Sequence, residues 1–440
     1  MSGNPILQLP ILQNWSCHNC SGCCREHLIE ITDEEKRRIE GQNWQADPEL
    51  SGRTLIQPLG GQSHRLAHQE NGACVFLDER GLCRIHARFG EPAKPLACRV
   101  YPYAFHPNGK HRLSVSLRFS CPSVVRNLGH AVLDQQRDLV QLAKAATAGH
   151  RLDFDPPPVH TRSAHGIQNV SWQDFSQIIA ALDEAIADED VHLVVRLVRI
   201  LSWLELLEEC QFQTIQGEKL NGLLRTLIRA SVKAQPDNDL PIQQPSRMAK
   251  TMFRQTAAQL SRHDDESLVR RGLQGRLGLL SAAVKFATGW GTIPELSESA
   301  SVAVVFNQHD GQITQKSVRF SDVEAAFDGR QAEIDELMTR YFRVKIQGIH
   351  FCGPAHYHSS VVDGFRSLAL MYPVTLWRAR IRAAQGQRSE LTLPDVQAAL
   401  ATVDHNFGYS PALGTKSALN RTVILSQMKQ LTRLIGWYSL

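Results

Sequence analysis

The sequence predicts a mainly α protein, in which a small α+β N-terminal domain precedes an all-helical C-terminal domain. Three observations support this class. Short apolar segments alternate with turn signals over the first 150 residues, a Pro-rich break follows, and apolar residues then recur at helical spacing. The 440 residues suffice for two to three domains of about 150 residues each. A composition of 42% hydrophobic and 21% charged residues is ordinary for globular proteins and argues against disorder.

The first domain is predicted over residues 1–150. Apolar and polar residues alternate over residues 113–119 (LSVSLRF), the pattern of a half-buried strand. Leu28–Ile31 and Val75–Leu77 are candidate short strands, and Gly60-Gly61 is one of the turn signals between them. A small, loop-rich unit of this kind often needs a bound metal to complete its core.

The second domain follows a stiff break in the chain. Residues 153–158 (DFDPPP) cannot continue a helix, so residues 151–170 are predicted to be a Pro-rich linker. Residues 171–440 are predicted to form the helical domain. A second Pro-rich segment over residues 236–246 marks a candidate boundary within it.

Helix signals begin at Ser171, which is a typical N-cap with Asp174 three residues later. Apolar residues then recur at helical spacing over residues 178–207. The β-branched run Ser301–Phe306 (SVAVVF) instead favours an isolated strand. Further helices are predicted at Leu220–Val232, Arg247–Leu260, Leu268–Ala287, Asp322–Ile346, Ser360–Ala383, Pro394–Val403 and Lys416–Trp437.

The placement of cysteine is the most informative feature of the composition. Eight of the ten cysteines lie in the first 121 residues. A disulfide framework would need an oxidising compartment, yet the first residues, MSGNPILQLPILQNW, lack the basic and apolar regions of a signal peptide. No run of about 18 uncharged apolar residues predicts a membrane span. We therefore expect a cytoplasmic protein with no membrane partner, in which clustered cysteines indicate metal or redox chemistry.

The strongest motif is CxxCxxCC, formed by Cys17, Cys20, Cys23 and Cys24. Thiolates spaced two residues apart can turn back onto one centre, and both zinc sites and iron–sulfur clusters use about four such ligands. Two four-ligand sites fit the number of early cysteines, and so does one cluster with spare structural cysteines. We expect an iron–sulfur cluster, favouring 4Fe-4S, ahead of zinc. The predicted metal ligands are Cys17, Cys20, Cys23, Cys24, Cys74, Cys83, Cys98 and Cys121.

Two common cofactor motifs are absent from the sequence. The gap between Cys17 and Cys20 is one residue shorter than in the CxxxCxxC motif of radical enzymes that cleave S-adenosylmethionine. No GxGxxG turn joins a strand to a helix, so the sequence gives no case for a Rossmann cofactor site. A bound cofactor would therefore be held in another way.

The chain carries no acidic residue between Glu91 and Asp134, although several lysines and arginines lie there. Cations near an iron–sulfur centre stabilise its negative charge. Arg99, which follows Cys98 directly, is predicted to do so, and Tyr101 is a candidate for stacking on a bound cofactor. The same stretch could bind an anionic ligand. A net charge of only +4 does not demand a nucleic-acid partner.

The flanking residues support a family resemblance over roughly residues 15–125. After CxxCxxCC come Cys74-Val-Phe-Leu77, Cys83-Arg-Ile-His86 and Cys98-Arg-Val-Tyr-Pro102. In order and spacing these motifs resemble the CxxCxxCC cysteine-cluster family of zinc- or iron-chelating proteins. The longer chain with a helical second half, including Tyr341–Ile346, is similar to the flagellin lysine-N-methylases of that family.

This resemblance implies methyl transfer from S-adenosylmethionine to a lysine of a flagellin-like protein, with an iron–sulfur cluster involved. It identifies no catalytic residue in this chain. Two alternatives stay open. One is a non-enzymatic module whose zinc or iron only stabilises the fold, a role that structural zinc can fill. The other is an adaptor that binds nucleic acid or protein through the acid-free stretch.

Overall fold

The computed structural model describes residues 4–61, 63–150, 152, 154–163, 166–236, 242–262, 272–296, 298–306, 317–327 and 332–439. Within these residues the protein is mainly α-helical, and its strands lie in the first 168 residues. The predicted fold class is therefore confirmed. No helix in these ranges combines the length and the apolar character needed to cross a membrane.

The described strands are β1 (Ile6–Gln8), β2 (Asn14–Trp15), β3 (Glu30–Ile31), β4 (Ile56–Gly60), β5 (Ser63–Leu66), β6 (Tyr103–Pro107), β7 (Arg112–Leu117), β8 (His130–Ala131), β9 (His160–Ser163) and β10 (Gly166–Gln168). They form four small sheets, in which neighbouring strands pair in the orders β1-β7-β6, β3-β5-β4, β2-β8 and β9-β10. β1 runs parallel to β7, and β6 and β7 form an antiparallel pair from Tyr103↔Leu117 to Pro107↔Leu113.

The helices of the N-terminal part are short, apart from the sixth. They are α1 (Gly22–Glu26), α2 (Asp33–Glu40), α3 (Arg84–Phe89), α4 (Leu96–Val100), α5 (Pro122–Val125) and α6 (Gln136–Ala146). Single 3-10 turns lie at Trp44–Ala46, Glu91–Ala93, Val132–Gln135 and Pro354–His356. Short helices of this kind are marginal alone, so packing must hold them in place.

The helices of the rest of the described chain are mostly longer, apart from the short twelfth and thirteenth. They are α7 (Trp172–Ala187), α8 (Leu193–Leu207), α9 (Glu218–Ala234), α10 (Arg247–Ser261), α11 (Gly272–Thr288), α12 (Ala300–Phe306), α13 (Phe320–Glu324), α14 (Ala332–Gln347), α15 (Val361–Gln385), α16 (Leu393–Asn406), α17 (Lys416–Gln427) and α18 (Gln430–Tyr438). Ser171 begins α7 as predicted, because its hydroxyl accepts the Asp174 N–H at 3.1 Å.

Two strand predictions are wrong. Ser301–Phe306 lies in α12, where the Ser299 hydroxyl accepts the Val302 N–H at 3.1 Å and starts a helix despite the valine run. Val75–Leu77 forms a turn in which the Leu77 N–H donates to the Cys74 carbonyl at 2.9 Å. Local side-chain and backbone hydrogen bonds therefore outweigh β propensity at both places.

Two long predicted helices are each divided. Phe320–Glu324 ends at Ala325, whose backbone is extended, and α14 begins only at Ala332. The helix expected to continue to Trp437 is interrupted at Lys429, which has a left-handed φ of 56°. Residues 268–271, the expected start of α11, lie outside the described residues.

The strand β7 forms the centre of its sheet and is more buried than predicted. Its apolar side chains are buried as expected, but Ser114 and Ser116 on the other face are buried too. Asn108 donates to the Ser114 hydroxyl at 2.9 Å, and α14 packs across Ser116. A strand covered on both faces can place neighbouring residues accurately, which matters for the segment that follows it.

The described residues form two apolar cores. The smaller core lies within residues 29–85 and includes Trp44, Phe76 and Ile85. The larger core joins β7 to the helices of the second half. Inside the predicted linker, His160–Ser163 and Gly166–Gln168 form the antiparallel strands β9 and β10, and the predicted domain boundaries stay a prediction.

A buried ion pair fixes the end of β7 to the helical half. Lys345 Nζ in α14 lies 2.7 Å from Asp404 Oδ1 in α16, and both side chains are fully buried. Lys345 Nζ also donates to the Leu117 carbonyl at 3.3 Å, and the Phe119 N–H donates to Asp404 Oδ2 at 2.6 Å. The pair therefore holds the chain on both sides of residue 118.

The contact of α14 with β7 depends on the absence of a side chain at Gly348. A Cβ there would overlap the Ser116 side chain and lie 2.9 Å from Ser116 Cα. We expect Gly348→Ala to lower the free energy of unfolding by about 1–3 kcal/mol, the usual cost of overpacking. Urea denaturation followed by circular dichroism measures this change.

Gly222 supplies the matched control, because it lies inside α9 with open space around its Cα. Gly222→Ala should raise the free energy of unfolding by about 0.5–1 kcal/mol, since alanine favours helix over glycine. If both variants unfolded at the same urea concentration, that result would contradict the close packing of α14 on β7.

Candidate metal centre

The CxxCxxCC segment forms a tight loop and the short helix α1. Cys17 and Cys20 lie in the loop, and Cys23 and Cys24 lie in α1. The loop turns sharply because Asn19 and Ser21 adopt left-handed φ values of 53° and 58°. Successive residues of a helix are rotated by about 100°, so the two adjacent cysteines leave α1 in different directions.

The four later cysteines reach the same region from separate elements. Cys74 lies in the turn before α3, and its N–H donates to the Cys24 carbonyl at 2.7 Å. Cys83 and Cys121 each immediately precede a short helix, α3 and α5 respectively, and Cys98 lies within α4. Backbone hydrogen bonding therefore ties the second cysteine segment to the first.

All eight predicted ligand residues line one cavity of about 1240 Å³. Cys210 and Cys352 do not line it. All ten cysteines are free thiols, so no disulfide competes for these sulfurs. The structure thus brings the eight residues together, and which of them bind metal stays a prediction.

Burial opposes ionisation of four of these thiols, because it raises the pKa of Cys20, Cys74, Cys98 and Cys121. It raises the pKa of Cys74 to about 12, with further increases from the neighbouring Cys83 and Cys23, and raises that of Cys121 to about 12. Burial also raises the pKa of Cys98, beside Cys74, Cys23 and Cys83. A cation that replaces the thiol proton would remove the cost of burying a thiolate, so this donor set suits a thiophilic metal group.

The eight cysteine thiols are spread around the cavity and do not converge on a single position. Among the described residues, no three cysteine, histidine, aspartate or glutamate side chains are grouped as ligands of a single ion would be. Cys23, Cys74, Cys83 and Cys98 interact with one another electrostatically, and Cys20 connects them to Cys17 and Cys121. In this arrangement the residues fit a group larger than one ion.

A second wall of the cavity is aromatic and basic. The Arg118 guanidinium lies 4.0 Å from the ring centre of Tyr409 and 5.8 Å from that of Tyr101. His106 also lines the cavity, and its ring centre lies 4.7 Å from that of His350. Burial, assisted by the Lys345 charge, lowers the pKa of His106 to about 3, so its imidazole is neutral at physiological pH.

The helix α1 docks directly on the helical half. Glu26 forms an ion pair with His405 Nδ1 at 3.1 Å and accepts a hydrogen bond from the Ser301 hydroxyl. Gly22 approaches α12 so closely that a Cβ would lie 2.7 Å from Ser301 Oγ. Burial would raise the pKa of Glu26, but His405 and Ser301 hold it at about 2. The cysteine loop is therefore positioned by residues far away in sequence.

Both residues predicted to contact a cofactor lie at the cavity. Arg99 Nε pairs with Glu91 Oε1 at 3.0 Å, so its charge is already compensated by a carboxylate. Tyr101 is half-buried, and its hydroxyl lies 3.2 Å from Ser120 Oγ. Burial raises the pKa of Tyr101 well above its ordinary value, and Cys121 and Cys23 lie near enough to add to the shift. Their proposed cofactor contacts stay a prediction.

No motif in the sequence marks the residues of the second wall individually. Arg118 and His106 belong to the acid-free stretch, which was the available signal, but nothing in that stretch distinguished them from its exposed basic residues. His27 also lines the cavity and stacks on His405 with ring centres 5.5 Å apart. Tyr409 reaches the cavity from the helical half, nearly 300 residues from Arg118 in sequence, a distance no local motif spans.

Comparisons with known proteins agree with the cysteine motifs. No curated protein and no solved structure matches the chain. Residues 16–122 match the model of the CxxCxxCC family, described as "Putative zinc- or iron-chelating domain". This segment contains all eight cysteines that line the cavity. Residues 16–122 are therefore similar to this family of cysteine-cluster domains, and the match supports metal binding by this part of the chain.

Proposed function

We propose that the cavity holds an iron–sulfur cluster bound by cysteine thiolates, and that the protein methylates lysine side chains of another protein with S-adenosylmethionine as donor. The observation that carries the proposal is the cavity of about 1240 Å³ lined by eight free cysteines. The methyl-transfer part rests on the resemblance of the longer chain to lysine-N-methylases. A cytoplasmic location, also proposed, would keep the thiols reduced.

The size of the cavity favours a cluster with room beside it. A structural zinc site is a closed tetrahedron of four ligands that leaves little free space. Here the thiols are spread around a large volume, and a wall of Tyr101, Tyr409 and Arg118 faces it. Ligand pockets for small organic molecules commonly enclose roughly 300–1,000 Å³, so the space accommodates both a metal group and a substrate.

The chain's own residues would bind and orient the groups in this cavity. The thiolates would hold the cluster, which when bound supplies iron that can coordinate donor atoms of a substrate. The rings of Tyr101 and Tyr409 present apolar surface to an organic ligand. Neutral His106 adds no positive charge against a sulfonium cation.

The proposed reaction is a displacement at the methyl carbon. The unprotonated lysine nitrogen forms a bond to that carbon, while the bond from carbon to sulfur breaks and its electron pair remains on sulfur. S-adenosylhomocysteine leaves, and the methylated amine releases one proton to solvent. The protein would contribute mainly by holding the amine and the methyl carbon in line, which can supply much of the rate enhancement.

Protein purified without oxygen should be brown and contain iron together with acid-labile sulfide. Cys74→Ser and Cys98→Ser should each lower the affinity for iron by at least about tenfold, because even an outer partner of a metal site contributes 10–100-fold. Iron and sulfide analysis with absorption spectroscopy measures the change.

Cys210→Ser is the matched control, since Cys210 is a free thiol outside the cavity at the end of α8. Its iron content should equal that of the unaltered protein. Colourless protein with stoichiometric zinc would instead support the non-enzymatic module, and the cluster would have to be abandoned.

The methyl-transfer step makes a separate prediction. Anaerobic protein incubated with isotope-labelled S-adenosylmethionine and a lysine-rich surface protein, such as flagellin, should transfer label to lysine side chains. Mass spectrometry of the digested acceptor locates the methyl group. Cys98→Ser should abolish transfer because the cluster is lost, whereas Cys210→Ser should leave it intact. An iron-loaded protein that labels no lysine on any such acceptor would argue for a binding role alone.

A further inference from the structure

Arg118 lines the cavity without a carboxylate partner among the described residues. Its Nη2 donates to the His405 carbonyl at 3.2 Å, while its Nε is buried and has no hydrogen-bond partner. Arg118 is half-buried, and a cation at a cavity wall whose charge no carboxylate balances favours an anionic ligand.

The position of Arg118 is fixed from both sides. The residues before and after it are held by the buried pair, because Lys345 binds the Leu117 carbonyl and Asp404 accepts the Phe119 N–H. Successive side chains of an extended segment point in opposite directions, so Leu117 and Phe119 turn into the core while Arg118 turns toward the cavity.

The guanidinium is also held by aromatic rings. Its carbon lies 4.0 Å from the centre of the Tyr409 ring and 5.8 Å from that of Tyr101. Contact with ring faces limits the motion of the planar group and leaves its edge for hydrogen bonding. A planar carboxylate matches that edge, since it can accept two parallel N–H bonds.

Two carboxylates that contact the residues around Arg118, Asp404 and Glu26, already have partners. Asp404 is occupied by Lys345, by the Tyr341 hydroxyl at 3.2 Å and by the Phe119 N–H. Glu26 is bound by His405 and Ser301. Burial keeps His106 and His350 neutral by lowering the pKa of each. Asp404 and Glu26 are therefore already in use, and an anionic ligand would balance the charge of Arg118.

We propose that Arg118 is the recognition site for the carboxylate of an organic ligand that shares the cavity with the metal group. The position of Arg118 does not depend on the reaction, but the choice of probe rests on the proposed function. If the protein uses S-adenosylmethionine, the carboxylate is that of its amino-acid portion.

Two compounds isolate the contribution of the carboxylate. S-Adenosylhomocysteine carries the amino-acid group, and 5′-methylthioadenosine shares the adenosine and the thioether but lacks it. Calorimetric titration of the anaerobic holoprotein should show that S-adenosylhomocysteine binds at least about tenfold more tightly than 5′-methylthioadenosine. One charge-assisted hydrogen-bonded pair can provide this difference. Arg118→Gln should remove this preference while keeping the iron content and the affinity for 5′-methylthioadenosine.

Arg126→Gln is the matched control. Arg126 lies in the same acid-free stretch but is exposed and outside the cavity, so the same loss of charge should leave the preference unchanged. Arg118→Lys should recover only part of the preference, because lysine retains the charge without the planar edge. The proposal is overturned if Arg118→Gln still prefers S-adenosylhomocysteine. It is also overturned if Arg118→Gln loses iron but keeps that preference.

If neither compound binds, the proposed methyl donor is refuted. A second measurement then tests the carboxylate site by itself. The thermal unfolding midpoint is compared in sodium formate and in sodium chloride at equal ionic strength. Formate should raise the midpoint of the unaltered protein and of Arg126→Gln above the chloride value, but not that of Arg118→Gln. Equal responses in all three proteins would refute the carboxylate site itself.

Discussion

The buried pair of Lys345 and Asp404 is the interaction on which the cavity depends. It lies where β7 ends, and it binds two backbone groups there as well as joining α14 to α16. Removal of one member of such a pair would leave an uncompensated buried charge, which typically costs about 3–5 kcal/mol. The pair is thus more important for specifying this arrangement than for adding net stability.

The consequences of that constraint extend along the chain. Three residues beyond Arg118 lies Cys121, which begins α5 and faces the other cysteines across the cavity. On the opposite side, α16 continues to His405, whose imidazole pairs with Glu26 at the end of α1. A single helix of the second half therefore positions both the basic wall and the first cysteine segment.

The fold was predictable where the signal is local. The Ser171 cap, the alternation along β7 and the apolar periodicity of the long helices all depend on neighbours within a few residues, and the structure confirms them. Ser301–Phe306 was mistaken for a strand because its valines favour one, whereas the Ser299 hydroxyl and packing on α1 make it helical. The buried serines of β7 were unpredictable from the strand itself, since α14 covers them from more than 200 residues away.

The candidate site was likewise predictable only where the signal is local. Motif spacing singled out the eight cysteines, but the number of thiols says nothing about the volume they enclose. The lining of that volume includes Tyr409 and Arg118, and the positions of both depend on the helical half. Tyr409, in the turn after α16, adds a residue of the distant helical half to the cavity lining. The helical half therefore has a role that the cysteine motif alone does not indicate: it fixes the segment around Arg118 and contributes Tyr409 to the wall beside the cysteine thiols.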